Sequence, residues 1–98
     1  MLRLAFAAFL AVAALSGTTR ASEARIKVLF LGDQGHHKPA ERFAQLAPVL
    51  ADRGIDLVYT ENLADLDPSV LGAHDALAVY ANIESITPAQ ETAVVEFV

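Results

Sequence analysis

Six consecutive residues, Ile26-Lys27-Val28-Leu29-Phe30-Leu31, make a β-branched and apolar run that stops at Gly32. A run of this kind suits a strand buried on both faces, as in a parallel sheet covered by helices. A polar loop, Asp33 to Lys38, follows, and Pro39 then opens a stretch in which Phe43, Leu46, Ala47 and Leu50 recur at i, i+3, i+4 and i+7. That is the spacing of an apolar helical face with proline at its first position. Strand, short loop and helix in this order begin a βαβ unit, which restricts the rest of the chain to a small set of α/β topologies.

The remaining elements follow the same alternation. Pro48 removes one helical hydrogen bond and predicts a kink or a restart of the first helix, and Gly54 supplies its stop. Ile55-Asp56-Leu57-Val58-Tyr59-Thr60 reads as a second strand whose polar positions place it at an edge. After a loop holding Leu63 and Leu66, Asp67-Pro68 caps a helix that Gly72 limits to a turn or two. Ala76-Leu77-Ala78-Val79-Tyr80 is apolar throughout and predicts a central third strand. Thr87-Pro88-Ala89-Gln90 combines a capping box with proline at the first helical position. The helix begun there runs through Ala93, Val94 and Phe97 to Val98 without a stop signal, so the sequence is expected to be cut short before the remaining strands. The fold class expected is α/β, a flavodoxin-like parallel sheet with order 2-1-3 for the strands present.

Ahead of this domain, Leu4 to Leu15 is an unbroken apolar run preceded by Arg3 and followed by Ser16 and Gly17. Twelve residues match a signal-peptide core and fall short of the roughly 18 to 20 needed for a membrane span. Residues 1–21 are therefore read as a signal peptide, with a cut after Ala21 or after Ala24, and the mature chain as secreted or periplasmic with no stable membrane span. Residues 25–98 form the domain.

From Ser22 onward the chain carries five basic residues (Arg25, Lys27, Lys38, Arg42, Arg53) against all twelve acidic ones, seven net negative charges. Binding to nucleic acid phosphates needs a basic face, so a nucleic-acid partner is disfavoured and none is expected. Cys is absent, which removes disulfides, thiolate metal sites, c-type haem attachment and a Cys nucleophile from these residues. No cofactor is called for within them.

In an open parallel sheet, ligands bind beyond the carboxyl ends of the strands where the strand order reverses. For order 2-1-3 that point lies between strands one and three. The loops meeting there, Gly32 to Lys38 and Ala81 to Ser85, hold most of the polar, chemically capable residues. Gly32 and Gly35 match neither the dinucleotide nor the phosphate-loop pattern, so they read as a tight turn.

The candidate ligand-binding residues are Asp33, His36, His37 and Asn82. His36 or His37 could act as general base, substrate partner or metal ligand, or could stabilise the loop. Adjacent side chains usually diverge, which argues against both binding one ion, and no metal is assigned. Asp33 either orients a histidine or caps its own loop, and Asn82 either meets a ligand or holds its loop. Glu84 reads as a solvated loop acid, and Glu41 as a first-turn acid facing the helix dipole. His74, beside Asp75 at the amino end of strand three, reads as structural.

An ordered set of segments resembles the ThuA-like (trehalose-utilisation) domains. These are Lys27-Val28-Leu29-Phe30-Leu31-Gly32 with Gly35-His36-His37-Lys38-Pro39, Gly54-Ile55-Asp56-Leu57-Val58-Tyr59-Thr60, Tyr80-Ala81-Asn82-Ile83 and Thr87-Pro88-Ala89-Gln90-Glu91. The resemblance covers Ile26 to Val98 and implies the N-terminal part of a domain similar to class I glutamine amidotransferases, without their nucleophilic cysteine. It implies a link to carbohydrate metabolism, hence a small polar or sugar-like ligand, with His36, His37 and Asn82 near the cleft. Exported versions resemble the N-terminal module of larger proteins that also carry a propeller-type dehydrogenase and a c-type haem domain, so further domains of the same polypeptide are expected partners. Two other functions fit the residues: a non-catalytic interaction module, and a metal-assisted hydrolase using His36 or His37.

Overall fold

The computed structural model describes residues 25–98. The expected signal peptide lies outside the described residues. Three strands, β1 (Ile26–Leu31), β2 (Ile55–Thr60) and β3 (Ala76–Val79), form one parallel sheet in the order β2-β1-β3. The helices are α1 (Pro39–Ala51), α2 (Pro68–Leu71) and α3 (Pro88–Phe97), with a single 3-10 turn at Leu63–Asp65. The α/β class and the 2-1-3 order are as the sequence predicts. Among the described residues no helix is long and apolar enough to cross a membrane.

The apolar character of β1 follows from its central position. Side chains alternate between the faces of a strand, and here both faces are covered. Leu29 and Leu31 are buried with Leu66, Leu71 and Ala93, so the short helix α2 and helix α3 lie over one face. Phe30 points the other way and meets Phe43 of α1 at 6.0 Å and Tyr59 of β2 at 5.9 Å between ring centroids. The sheet is thus a layer between helices, and its carboxyl edge is left for the loops.

The strand ends are aligned by the pairing. Leu31 sits opposite Thr60 on one side and Val79 on the other. Gly32 N–H donates to the Thr60 carbonyl at 2.9 Å, and Tyr80 N–H to the Leu31 carbonyl at 2.8 Å. At the opposite end, Lys27 N–H donates to the Asp75 carboxylate at 2.8 Å and Asp75 N–H to the Lys27 carbonyl at 2.7 Å. Arg25 pairs with Asp56 at 2.6 Å at this same end.

Of the kink or restart expected at Pro48, the restart does not occur, since α1 is one helix from Pro39 to Ala51. Ala44 and Pro48 are both exposed, so the carbonyl left without its helical partner lies on the side where water can hydrogen-bond it. Among the described residues strand β3 borders β1 alone, as order 2-1-3 places it, and Val79 at its end is 53% exposed. Its apolar composition has local causes: Leu77 packs on the core, and Ala78 lies beside Phe30 in the pairing.

The caps are where the sequence put them. Thr87 accepts from Gln90 N–H at 3.1 Å while the Gln90 side chain accepts from Thr87 N–H at 2.9 Å, closing the capping box. The Asp67 carboxylate accepts from Ser69 N–H at 3.0 Å. Gly54 takes φ 84°, a left-handed conformation that costs glycine little and lets the chain turn from α1 into β2.

Candidate functional site

Beyond the carboxyl ends of β1 and β3, Asp33, His37, Val79, Tyr80, Ala81 and Asn82 line an open cleft of about 430 Å³. It occupies the point at which strand order reverses, where an α/β sheet ordinarily presents its ligand site. The two loops that form it are joined by one side chain. Asp33 accepts from Gly35 N–H at 2.8 Å through Oδ1 and from Asn82 N–H at 2.6 Å through Oδ2.

Asp33 therefore caps its own loop and also fastens the β3 loop to it. Of the two roles left open by the sequence, loop capping is the one its hydrogen bonds express. The Asn82 backbone N–H, followed by that of Gly35, holds the Asp33 carboxyl below its ordinary range, with smaller help from His37 and His36. Since the folded-state pKa lies below the unfolded one, the clamp's contribution is present above the ordinary carboxylate range. It is lost as pH falls through the folded value. The Asn82 amide proton is expected to titrate with an apparent pKa below 3.8, the ordinary Asp value. A midpoint at or above 3.8 in an NMR titration would contradict the clamp.

The histidines are placed differently from one another. His37 lines the cleft, with its ring edge-on to Tyr80 at 6.4 Å and 71°. His36 lines a neighbouring depression with Gln34, Lys38, Glu41 and Glu61. The expected divergence of the two side chains does not occur, because their rings lie 4.1 Å apart at 37°. Chain alternation applies to extended backbone, and this segment is a tight turn, with Lys38 N–H donating to the Gly35 carbonyl at 3.0 Å. Among the described residues, no group of three or more His, Cys, Asp or Glu is placed to hold a metal ion.

Lys38 leaves the turn at φ 54°, a left-handed conformation that a β-carbon disfavours, and no side chain caps α1. This lets the loop end directly on Pro39. On its far side the loop is tied to β2: Tyr59 Oη donates to Glu61 Oε2 at 2.6 Å, and Gln34 Nε2 donates to Glu61 Oε1. Burial first, then the hydrogen bond to Glu61, push the Tyr59 hydroxyl up to about 12. The bond from Tyr59, then that from Gln34, hold the Glu61 carboxyl below its usual range.

His74 lies at the amino end of β3 with Nδ1 2.7 Å from the Val70 carbonyl, away from the cleft. Glu84 borders an apolar groove that includes Leu31, Leu77, Val79, Ile83 and Val94. Sequence reasoning did not include Tyr80 among the site residues. The available signal was its position, an aromatic residue immediately after a strand at the carboxyl edge. Comparison of the chain with protein-family models, with curated proteins and with solved structures finds no match.

Proposed function

We propose that the β1–β3 cleft binds a small polar or sugar-like ligand, and that residues 25–98 are the N-terminal part of a ThuA-like, flavodoxin-like domain in an exported protein. The observation that carries this reading is the convergence of His37, Tyr80 and Asn82 on one cleft at the reversal of strand order, held by the Asp33 clamp. The resemblance of the five quoted segments to ThuA-like domains supports the sugar-related assignment. The apolar run from Leu4 to Leu15, followed by small residues, supports export to a secreted or periplasmic location. Further domains of the same polypeptide belong to this reading.

The test is substitution at both ends of the sheet, with saccharide affinity measured by calorimetry on the whole protein. His37→Ala or Asn82→Ala is expected to weaken binding by about 1 to 3 kcal/mol for each buried hydrogen bond lost on ligand binding. His74→Ala should leave it unchanged. Affinity that survives both cleft substitutions would remove the assignment. The second reading, a non-catalytic interaction module, draws support from the groove beside β3, where Val79 and Ile86 are exposed next to a strand edge unpaired among the described residues.

A further inference from the structure

Resting on the reading of the β1–β3 cleft as a ligand site, we propose that Tyr80 determines its specificity and that the ligand is an uncharged, hydroxyl-bearing ring, a pyranose or cyclitol, and not its phosphate or carboxylate derivative. Tyr80 is 41% exposed, yet its placement is fixed from three sides. Its N–H is held by the Leu31 carbonyl at 2.8 Å, and its ring lies 6.1 Å from buried Phe30 and 6.4 Å from His37. The result is an aromatic wall, continued by Val79 and Ala81, facing the polar groups of Asp33, His37 and Asn82.

Such a wall suits a ligand with one apolar face of C–H bonds and polar groups around its rim. The rim partners are at hand in the same lining. The backbone N–H of Asn82 is engaged by Asp33, while its exposed side-chain amide makes no hydrogen bond among the described residues and can both donate and accept. His37 adds ring nitrogens at the same edge.

Charge decides the rest. The lining contains no Lys or Arg, and the one basic residue of the loop, Lys38, borders the neighbouring depression, 4.0 Å from Glu41. Asp33 contributes a carboxylate that its two backbone donors keep ionised. An anionic group entering the cleft meets like charge and finds no fixed cation, whereas a neutral ring loses nothing on that account.

Calorimetric titration of the whole protein with glucose, maltose and myo-inositol, against glucose 6-phosphate and glucuronate, tests this. At least one neutral compound should bind, with charged counterparts weaker by about tenfold or more at low salt. Tyr80→Ala should weaken the neutral compound by about tenfold, whereas Tyr80→Phe, which keeps the wall, should stay within about threefold. Circular dichroism confirms that each variant is folded. Charged compounds that bind as well as neutral ones, or affinity indifferent to Tyr80→Ala, would overturn the inference while leaving the cleft as a site. Binding of neither class would overturn the cleft reading and this inference with it.

Discussion

Replacing Gly32 by alanine is expected to destabilise the domain by about 3 kcal/mol, the upper part of the range for overpacking a filled interior. A β-carbon there would sit 2.5 Å from Tyr59 Oη, 2.7 Å from Tyr59 Cε1 and 2.7 Å from Pro39 Cβ. The tyrosine hydroxyl is the far end of a side chain and can move, though moving it breaks the bond to Glu61 that ties β2 to the β1 loop. Pro39 cannot move so easily, being buried and fixed as the first residue of α1. Denaturant titration should therefore show that Tyr59→Phe rescues Gly32→Ala only in part. Full rescue would mean that the Tyr59 hydroxyl alone fills the space, and an unchanged midpoint for Gly32→Ala would mean that α1 is not seated against the strand end.

Leu31→Ala should cost a similar amount, about 3 kcal/mol within the range for large-to-small changes in a core. Leu31 is 1% exposed, belongs to the central strand and packs in the cluster with Leu66, Leu71 and Ala93. The methyl groups removed leave space bounded by the sheet on one side and by α2 and α3 on the other, so collapse into it requires layers to shift. Val58, 46% exposed on the edge strand, is the control, and Val58→Ala should stay within about 0.5 kcal/mol. Equal losses at the two positions, read as shifts in the urea midpoint at constant slope, would contradict the layering of helices over β1.

These two residues also show what the sequence could and could not convey. The burial of Leu31 was legible because a β-branched and apolar run, interrupted only by Lys27 and closed by Gly32, has few other uses. The capping box at Thr87 and Gln90 was legible because it is a local pattern with one economical structural solution, whereas strand order 2-1-3 was legible through the few topologies open to alternating strands and helices. That α1 continues through Pro48 without a restart was not legible, because the cost of a proline depends on which side of the helix its orphaned carbonyl faces, and periodicity alone does not weigh the exposure of Ala44.

The site was legible as a place more than as a geometry. Topology brings Asp33, His36, His37 and Asn82 to one edge of the sheet, and the structure places Asp33, His37 and Asn82 in the lining of one cleft and His36 in the neighbouring depression. That the Asp33 carboxylate spans two loops depends on a contact between residues 49 positions apart, which no local pattern encodes. The close, tilted approach of the His36 and His37 rings depends on turn geometry, and the wall formed by Tyr80 on how Phe30 supports it. These are consequences of packing, and they decide which polar residues are free to meet a ligand.

The central claim is that the loops after β1 and β3 form one ligand cleft at the carboxyl edge of the sheet. Amide chemical-shift mapping of the isotope-labelled whole protein during titration with a neutral saccharide tests it most directly. The account predicts concerted shifts at Asp33, Gly35, His37, Tyr80 and Asn82, with His74, Asp75 and Lys27 at the opposite end unmoved. Shifts confined to the amino end of the sheet, or to the apolar groove around Ile83, Ile86 and Val94, would contradict it.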